Sequence, residues 1–310
     1  MSTFEEIRRE AHRTESGRIA VAWPHDAEAL GAILEAAQAG MAEPILVGDR
    51  EVIRRVAARE GYTDHQLAKA RFLDAETPEE AARLTVAAVR GGEADVVMKG
   101  DLETAILLKA VLDQTEGLRA GRILSHVAAF TLPTRDGFLL LSDAAMNIAP
   151  NVSQKREIIL NAVEVASAIG IETPRVALLC AKEKVEPKMP ATVEAGELRD
   201  LGRAGKIPGC VVSGPLALDN AVSVRAAQQK GIDDPVAGLA DILIAPDIEA
   251  ANILYKALVF LAGAANAGII IGAAAPIVLT SRADSLESRI NSIALAALHA
   301  HYRRTGKGDG

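Results

Sequence analysis

The chain has 310 residues, which is enough for two domains of ordinary size, and 49% of them are apolar, so it can bury substantial cores. Its formal net charge is −7, it has no basic stripe, and only 3% of its residues are aromatic, which argues against nucleic acid as a partner. Residues 1–15 are polar and lack the apolar stretch of a signal peptide, so we expect a cytoplasmic protein.

The first part of the chain alternates short apolar strands with amphipathic helices, as α/β proteins do. Thr77 and Pro78 give one helix a strong start, because a capping hydroxyl is followed by proline in the first turn. We predict strands at 18–23, 44–47 and 95–98, and helices at 26–40, from residue 77, and after residue 101 to a point near residue 112.

Two strand-like runs then follow one another closely, at 123–132 and 137–141. Asp136 and Gly137 are a common turn pair, and we predict that they form the turn between the two strands. This change from strand–helix alternation to a hairpin indicates a mixed sheet or the edge of a domain.

The alternation resumes after the hairpin. We predict a long helix from Ser153 to Gly170, strands at 176–179, 210–212 and 241–245, and helices from residue 248 and over 284–302. Neither an internal repeat nor a flexible linker is evident. Two domains would therefore have to share the chain by crossing back, with the C-terminal helix returning to the first domain.

Three features have simple structural interpretations. Cys180 and Cys210 are far apart in sequence and lie beside apolar residues, so we expect reduced core residues without a disulfide or a metal. His126 lies inside an apolar run, which favours a hydrogen-bonded structural histidine. Residues 257–281 carry no charge, yet their glycines, Asn266 and Pro276 favour a helix, a turn and two buried strands over a membrane span.

Polar residues follow several of the predicted strands at the point where each strand ends. In open α/β sheets, ligands bind at the carboxyl ends of the strands. Together these residues predict a site for an anionic substrate, with Lys99 and Arg282 as phosphate partners. The strand-end groups are Lys99-Gly100-Asp101, Ser142-Asp143, Ser213-Gly214, Pro246-Asp247 and Ser281-Arg282.

The segment after the apolar run 277–279 is the most informative of these groups. Ser281 and Arg282 lie there, directly before a helix that begins near Asp284. A helix N-terminus presents unpaired N–H groups to an anion, and arginine adds a planar fork of donors. The alternative is a helix cap with a surface arginine.

Five collinear motifs resemble those of the phosphate acetyltransferase/phosphate butyryltransferase family. They are residues 98–100 (MKG), 142–150 (SDAAMNIAP), 212–221 (VSGPLALDNA), 249–256 (EAANILYK) and 280–285 (TSRADS), within a resemblance that runs from residue 18 to residue 302. The resemblance implies the interconversion of acyl-CoA plus phosphate with acyl phosphate plus CoA. It implies no metal and no cofactor beyond CoA as substrate.

The same resemblance implies an isocitrate/isopropylmalate dehydrogenase-like layered fold with two domains, an interdomain cleft and a homodimer. We place the first domain at 1–141 plus 284–310 and the second at 142–283. Sharing such a fold does not by itself establish an activity.

The resemblance also assigns site residues. Ser281, Arg282 and Asp284 are expected to be catalytic, and Lys99, Gly100, Lys109, Asp143, Asn147, Ser213 and Asn252 are expected to bind substrate. The alternative for Asp143 and Asn147 is that they cap the following helix. The alternative for Asn252 is that it bonds the backbone of a neighbouring turn.

Two positions depart from acetyl-type members. Ser288 stands where they carry a base aspartate, and Lys109 stands where they carry an arginine. The stretch 215–219 looks more like butyryl-type members, which favours an acyl chain longer than acetyl. A long-chain acyl-carrier phosphate acyltransferase and a non-catalytic acyl-CoA-binding or regulatory subunit are the alternatives.

Overall fold

The chain divides into two compact units, each described by itself. The computed structural model describes residues 1–14, 17–279 and 283–305. A central unit comprises Met1–Thr3 and Ile123–Asn266, and a terminal unit comprises Phe4–Arg122 and Ala267–Gly310. The first boundary differs from the predicted 141/142 because the hairpin after residue 122 pairs with strands of the central unit. The second differs from 283/284 because residues 277–278 pair with residues 97–98 of the terminal unit.

The secondary structure alternates over both units. In chain order the strands are β1 (Gly17–Ala22), β2 (Ala42–Gly48), β3 (Arg71–Asp74), β4 (Val96–Lys99), β5 (Ser125–Leu132), β6 (Arg135–Ser142), β7 (Arg175–Leu179), β8 (Val211–Leu216), β9 (Ile242–Ile244), β10 (Ala265–Ile271) and β11 (Ile277–Val278). The helices are α1 (Phe4–Arg13), α2 (Ala27–Gln38), α3 (Arg50–Arg59), α4 (Asp64–Leu67), α5 (Pro78–Arg90), α6 (Thr104–Val111), α7 (Val152–Ala168), α8 (Pro190–Arg203), α9 (Leu218–Val222), α10 (Val224–Gln229), α11 (Ile248–Phe260) and α12 (Leu286–Arg304).

The two units repeat one strand arrangement. In the terminal unit the order is β3-β2-β1-β4-β11-β10, with β2, β1, β4 and β11 parallel and β10 antiparallel to β11. In the central unit the order is β8-β7-β9-β6-β5, with β8, β7, β9 and β6 parallel and β5 antiparallel to β6. By this correspondence, β1, β4 and β11 of the terminal unit match β7, β9 and β6 of the central unit. Mixed α/β architecture is thereby confirmed in both units.

An arginine–aspartate clasp lies at the same place in each arrangement. Arg18 at the start of β1 donates through Nε and Nη2 to Asp95, just before β4, at 3.0 and 2.9 Å. Arg175 at the start of β7 donates in the same way to Asp241, just before β9, at 2.9 and 3.0 Å. Each aspartate also accepts the backbone N–H of its arginine. The clasps therefore fix the amino ends of neighbouring strands in both units.

Side-chain caps begin several helices where the sequence predicts a start. Thr77 accepts the N–H of Glu80 before Pro78, and Asp26 accepts the N–H of Ala29. The predicted start of α7 at Ser153 is wrong by one residue. Asn151 forms a capping box with Gln154, so the helix begins at Val152.

The predicted hairpin is confirmed, but its turn is wrong. The chain turns at Pro133-Thr134, and Asp136 and Gly137 lie inside β6. The register shifts there, since Thr131 and Leu132 of β5 face Phe138 and Arg135 of β6. The Asp-Gly pair thus marks a bulge.

The uncharged run 257–281 has the predicted order of helix, turn and two strands over its described residues. Helix α11 ends at Phe260, a turn follows, and β10 and β11 are the two buried strands. Within the described part of the chain, no helix is both long enough and apolar enough to span a membrane.

Candidate active site

The carboxyl end of β4 carries the Lys99 turn, defined here as residues 99–101. The Gly100 N–H donates to the Ala22 carbonyl at 2.8 Å and the Asp101 N–H donates to the Trp23 carbonyl at 2.7 Å. The half-buried Lys99 donates through Nζ to the Gly100 carbonyl at 3.0 Å. A Cβ at Gly100 would lie 2.4 Å from the Trp23 oxygen, so only glycine fits this close approach without a backbone shift.

Strand β11 lies directly beside β4 in the terminal sheet. The pair is parallel, with Val278 opposite Met98. Lys99 is the last residue of β4, and Leu279, directly after β11, is the last residue described before residue 283. Ser281 and Arg282 lie outside the described residues.

Ser288, which stands where acetyl-type members carry a base aspartate, has a structural role at the start of α12. Ser285 caps the helix by accepting the N–H of Ser288, and the two hydroxyl oxygens are 3.0 Å apart. Ser288 is buried and serves this helix start. Asp284, which is half-buried, immediately precedes the cap, whereas the nearby Glu287 forms an ion pair with Arg8 at 3.3 Å.

Lys109 lies on the exposed side of α6, the helix that follows the Lys99 turn. The structure gives it no contact with Lys99 or Gly100 that would join it to the turn. Its proposed role as a substrate cation therefore depends on the reach of a flexible side chain.

Sequence reasoning missed the end of β1, which neighbours the Lys99 turn. Trp23 adopts φ +57°, a conformation that bulky residues rarely take, and its ring lies 3.8 Å from that of His25, measured between centroids. Burial lowers the pKa of His25, outweighing the carboxylates of Asp49 and Asp101. The one available signal was that Trp23 is the single tryptophan of the chain and ends a strand.

A carboxyl at this edge also has a perturbed protonation equilibrium. Burial raises the pKa of Asp26, and the neighbouring acids Glu28 and Asp101 add to the shift against the opposing hydrogen bond from the Ala29 N–H. Such a carboxyl is a candidate proton acceptor, although capping α2 is its evident structural role.

In the central unit, Asp143 follows β6 and organises a buried turn. Its carboxylate accepts the backbone N–H groups of His126, Ala145, Met146 and Asn147, all at 3.0–3.1 Å. No helix starts at this point, because α7 is capped by Asn151. The alternative that Asp143 and Asn147 cap the following helix is therefore wrong, and their role in substrate binding stays a prediction.

Asn147 and Asn252 join the Asp143 turn to other elements. The Asn147 amide donates to Asp143 and, at 2.8 Å, to the Leu124 carbonyl, and the Asn252 amide on α11 donates to the Ala144 carbonyl at 3.1 Å. The structure thus brings three predicted residues into one network. The alternative that Asn252 bonds the backbone of a neighbouring turn is confirmed.

Ser213 lies apart from this network on the buried part of β8. Its hydroxyl donates to Asp234, which in turn accepts the N–H of Val236. A second polar group lies nearby in the motif 212–221, where the buried Asn220 donates to Glu183 at 2.7 Å and Lys230 donates to the same carboxylate. These bonds tie the loop after β7 to the helices after β8.

The two cysteines are free, as predicted, but each is half-buried and therefore not a core residue. Cys180 follows β7 and its Sγ bonds the Ala191 carbonyl at 3.3 Å. Burial raises the pKa of Cys180 to about 11, and burial does the same for Cys210. Neither thiol is therefore suited to nucleophilic chemistry near neutral pH.

Comparison with known proteins places these motifs in a family. A family model described as Phosphate acetyl/butaryl transferase matches residues 75–297. The Probable phosphate butyryltransferase of Bacillus subtilis (strain 168) is 50% identical over 278 residues, covering 90% of this chain and 91% of the relative. The phosphate acetyltransferase of Thermotoga maritima is 46% identical over 291 residues, covering 94% and 98%.

A solved structure agrees with the sequence comparisons. The branched-chain phosphotransacylase from Enterococcus faecalis V583 superposes with a TM-score of 0.81 at 34% identity, covering 92% of this chain and 99% of that one.

Proposed function

The chain belongs to the phosphate acetyltransferase/phosphate butyryltransferase family, and we propose on that premise that it interconverts a short-chain acyl-CoA plus phosphate with acyl phosphate plus CoA. The observation that carries the assignment to a site is the pairing of β4 with β11. This pairing sets the end of β4 beside Val278, and Ser281 and Arg282 follow Val278 by three and four residues in the sequence. In the sequence, the Lys99 turn and this pair each follow the carboxyl end of a parallel strand, where α/β sheets bind their ligands.

The proposed chemistry needs a base, an anion site and proximity. A carboxylate takes the proton of the CoA thiol, the thiolate attacks the acyl-phosphate carbonyl, a C–S bond forms, and the C–O bond to phosphate breaks. Asp284 is our proposed base, since it is a half-buried carboxyl directly before Ser285, the cap of α12. Ser281 would donate to the reacting oxygen, and Arg282 with Lys99 would hold the phosphate.

The remaining predicted residues support the substrate in this proposal. Gly100 shapes the Lys99 turn, and Lys109 offers further positive charge. Asp143, Asn147 and Asn252 form a polar network in the central unit, and Ser213 lies apart from it on β8. The interdomain cleft, the absence of a cofactor other than CoA as substrate, and a cytoplasmic location stay predictions.

The decisive assay is CoA release from acetyl-, propionyl- and butyryl-CoA with and without phosphate. We expect phosphate-dependent release that is fastest with butyryl-CoA. Release with none of the three, alongside tight CoA binding by calorimetry, would contradict the short-chain reaction. A carrier-protein substrate or a binding subunit would then be the better interpretation.

Arg282→Ala tests the anion site. We expect a raised apparent KM for phosphate and reduced turnover, because the planar fork of donors is lost. Arg225→Ala, which removes an exposed arginine of α10 in the central unit, is the matched control. Unchanged phosphate kinetics in Arg282→Ala would remove Arg282 from the site.

We propose a homodimer through α11. Ile253, Phe260 and Leu261 are 70%, 63% and 86% exposed, and the seven-residue spacing of the first two puts them on one side of the helix. Such a face favours a second copy of the chain. Light scattering should show that Ile253→Lys with Phe260→Lys gives monomers, while Val224→Lys, exposed on α10, leaves the dimer intact. A dimer that survives the double substitution would contradict this interface.

A further inference from the structure

The ring pair Trp23–His25 lies at the topological switch point of the terminal sheet. Strands β2 and β3 lie on one side of β1, and β4 lies on the other. Ligands of open α/β sheets bind at such a point, beyond the carboxyl ends of the two diverging strands. Trp23 follows β1 there, and its carbonyl bonds the Lys99 turn that follows β4.

The ring pair is held in place by several contacts. The His25 Nε2 accepts the backbone N–H of Asp49 at 3.1 Å, and a Cβ on Gly48 would lie 2.7 Å from that nitrogen. Trp23 keeps φ +57°, a strained conformation that persists only where the surroundings enforce it. Both rings remain half-exposed, so the pair is fixed at the sheet edge and still open to a ligand.

The rings have charged neighbours of both signs, and two of these neighbours are cations. Lys99 is paired in the sheet with Ala22, the residue before Trp23. Burial lowers the pKa of His25; Arg55 adds to this shift, and the carboxylates of Asp49 and Asp101 oppose it. A planar ligand that carries phosphate can therefore meet an aromatic face with cations beside it. Acyl-CoA has one planar aromatic part, its adenine base, and that part carries phosphates on both sides of its ribose.

We propose that the Trp23–His25 pair contacts the adenine nucleotide end of acyl-CoA. This inference rests on the proposed function, because it names where one substrate of that reaction lies. Loss of one base–aromatic contact weakens binding by about fivefold to a hundredfold. The acyl group and phosphate do not touch the rings in this arrangement.

Intrinsic fluorescence tests the proposal on the unmodified protein, because Trp23 is the single tryptophan. CoA and adenosine 3′,5′-bisphosphate should both quench the emission with saturation, and pantetheine and inorganic phosphate should not. Quenching by pantetheine alone, or none at CoA concentrations that saturate binding by calorimetry, would overturn it.

Variants separate ligand contact from a structural role. Trp23→Leu should raise the KM for acyl-CoA about tenfold and leave the KM for phosphate within about twofold, whereas Trp23→Phe should keep both within about threefold. Phe72→Leu, which removes a half-buried ring from β3, is the control and should change neither. An equal rise in both KM values in Trp23→Leu would show that Trp23 only shapes the Lys99 turn.

The two proposals fail in different ways. Quenching by CoA without phosphate-dependent CoA release would remove the proposed reaction and keep the nucleotide contact. Phosphate-dependent CoA release without quenching would support the proposed reaction and remove the nucleotide contact. Because the fluorescence experiment uses the wild-type chain, this decision does not depend on whether any variant folds.

Discussion

Gly100→Ala probes the closest backbone approach in the proposed site. A methyl group at residue 100 would lie 2.4 Å from the Trp23 oxygen and 2.6 Å from the Ala22 oxygen. Side-chain Cβ atoms essentially never come within 3.0 Å of such atoms, so the strands or the turn must separate by about 0.6 Å. Both atoms belong to backbone, which cannot rotate away as a side chain can.

The size of the effect follows from the bonds that cross this contact. The Gly100–Ala22 and Asp101–Trp23 hydrogen bonds, at 2.8 and 2.7 Å, would lengthen or break. Each contributes about 1 kcal/mol, and a buried N–H left without a partner costs about 1–3 kcal/mol. We therefore expect the free energy of unfolding to fall by about 2–4 kcal/mol. The displaced Lys99 should lower kcat/KM by about a hundredfold.

Urea unfolding and steady-state kinetics with butyryl-CoA and phosphate measure the two effects. Gly31→Ala on α2 is the control, since its Cβ would meet only the Tyr62 hydroxyl at 3.2 Å and alanine favours a helix. It should be neutral or slightly stabilising. If Gly100→Ala matched this control in both assays, the Lys99 turn would not depend on the close approach.

Three further outcomes are expected. Asp143→Asn should lower the free energy of unfolding by about 2–4 kcal/mol, because charge-assisted bonds to four N–H groups are weakened; an unchanged urea midpoint would refute this. Burial opposes ionisation of Asp95, but bonds from its arginine partners hold its pKa below the usual range, so its contribution is present above pH 4–5 and lost on acidification. Asp95→Asn should therefore lower the free energy of unfolding at pH 7 and make it fall less steeply on acidification. An unchanged pH dependence of the free energy of unfolding would contradict the stabilising role of the Arg18–Asp95 clasp. With both pKa values at about 11, Cys180 and Cys210 should react with iodoacetamide at pH 8 about a hundredfold more slowly than a free thiol, measured by mass spectrometry.

Local sequence signals predicted most elements, because periodicity and caps act over a few residues. The strands near residues 18–23 and 95–98 and the helix from Pro78 are confirmed, within a residue or two at their ends. The hairpin turn failed because Asp-Gly suits a bulge as well as a turn, and only the pairing partner decides between them.

The organisation of the site depends on contacts that no local pattern contains. The Asp143 carboxylate reaches back to the N–H of His126, and Asn252 reaches across to Ala144. Trp23 was read as the last residue of a strand, whereas its left-handed backbone and its stacking on His25 arise from the neighbouring strands. The repeated strand order could not be predicted from the sequence either, because the first strand of each unit along the chain occupies a different position in the shared arrangement.

The division of the terminal unit has a consequence for synthesis on the ribosome. The central unit is almost continuous in sequence, so it can fold once residue 266 has emerged. The terminal unit must wait, because β11 pairs with β4 and α12 packs against α1 and α2. Until those last residues appear, β4 has an unpaired edge that could recruit another chain. The nascent protein is therefore most exposed to aggregation while its first hundred residues await its last forty.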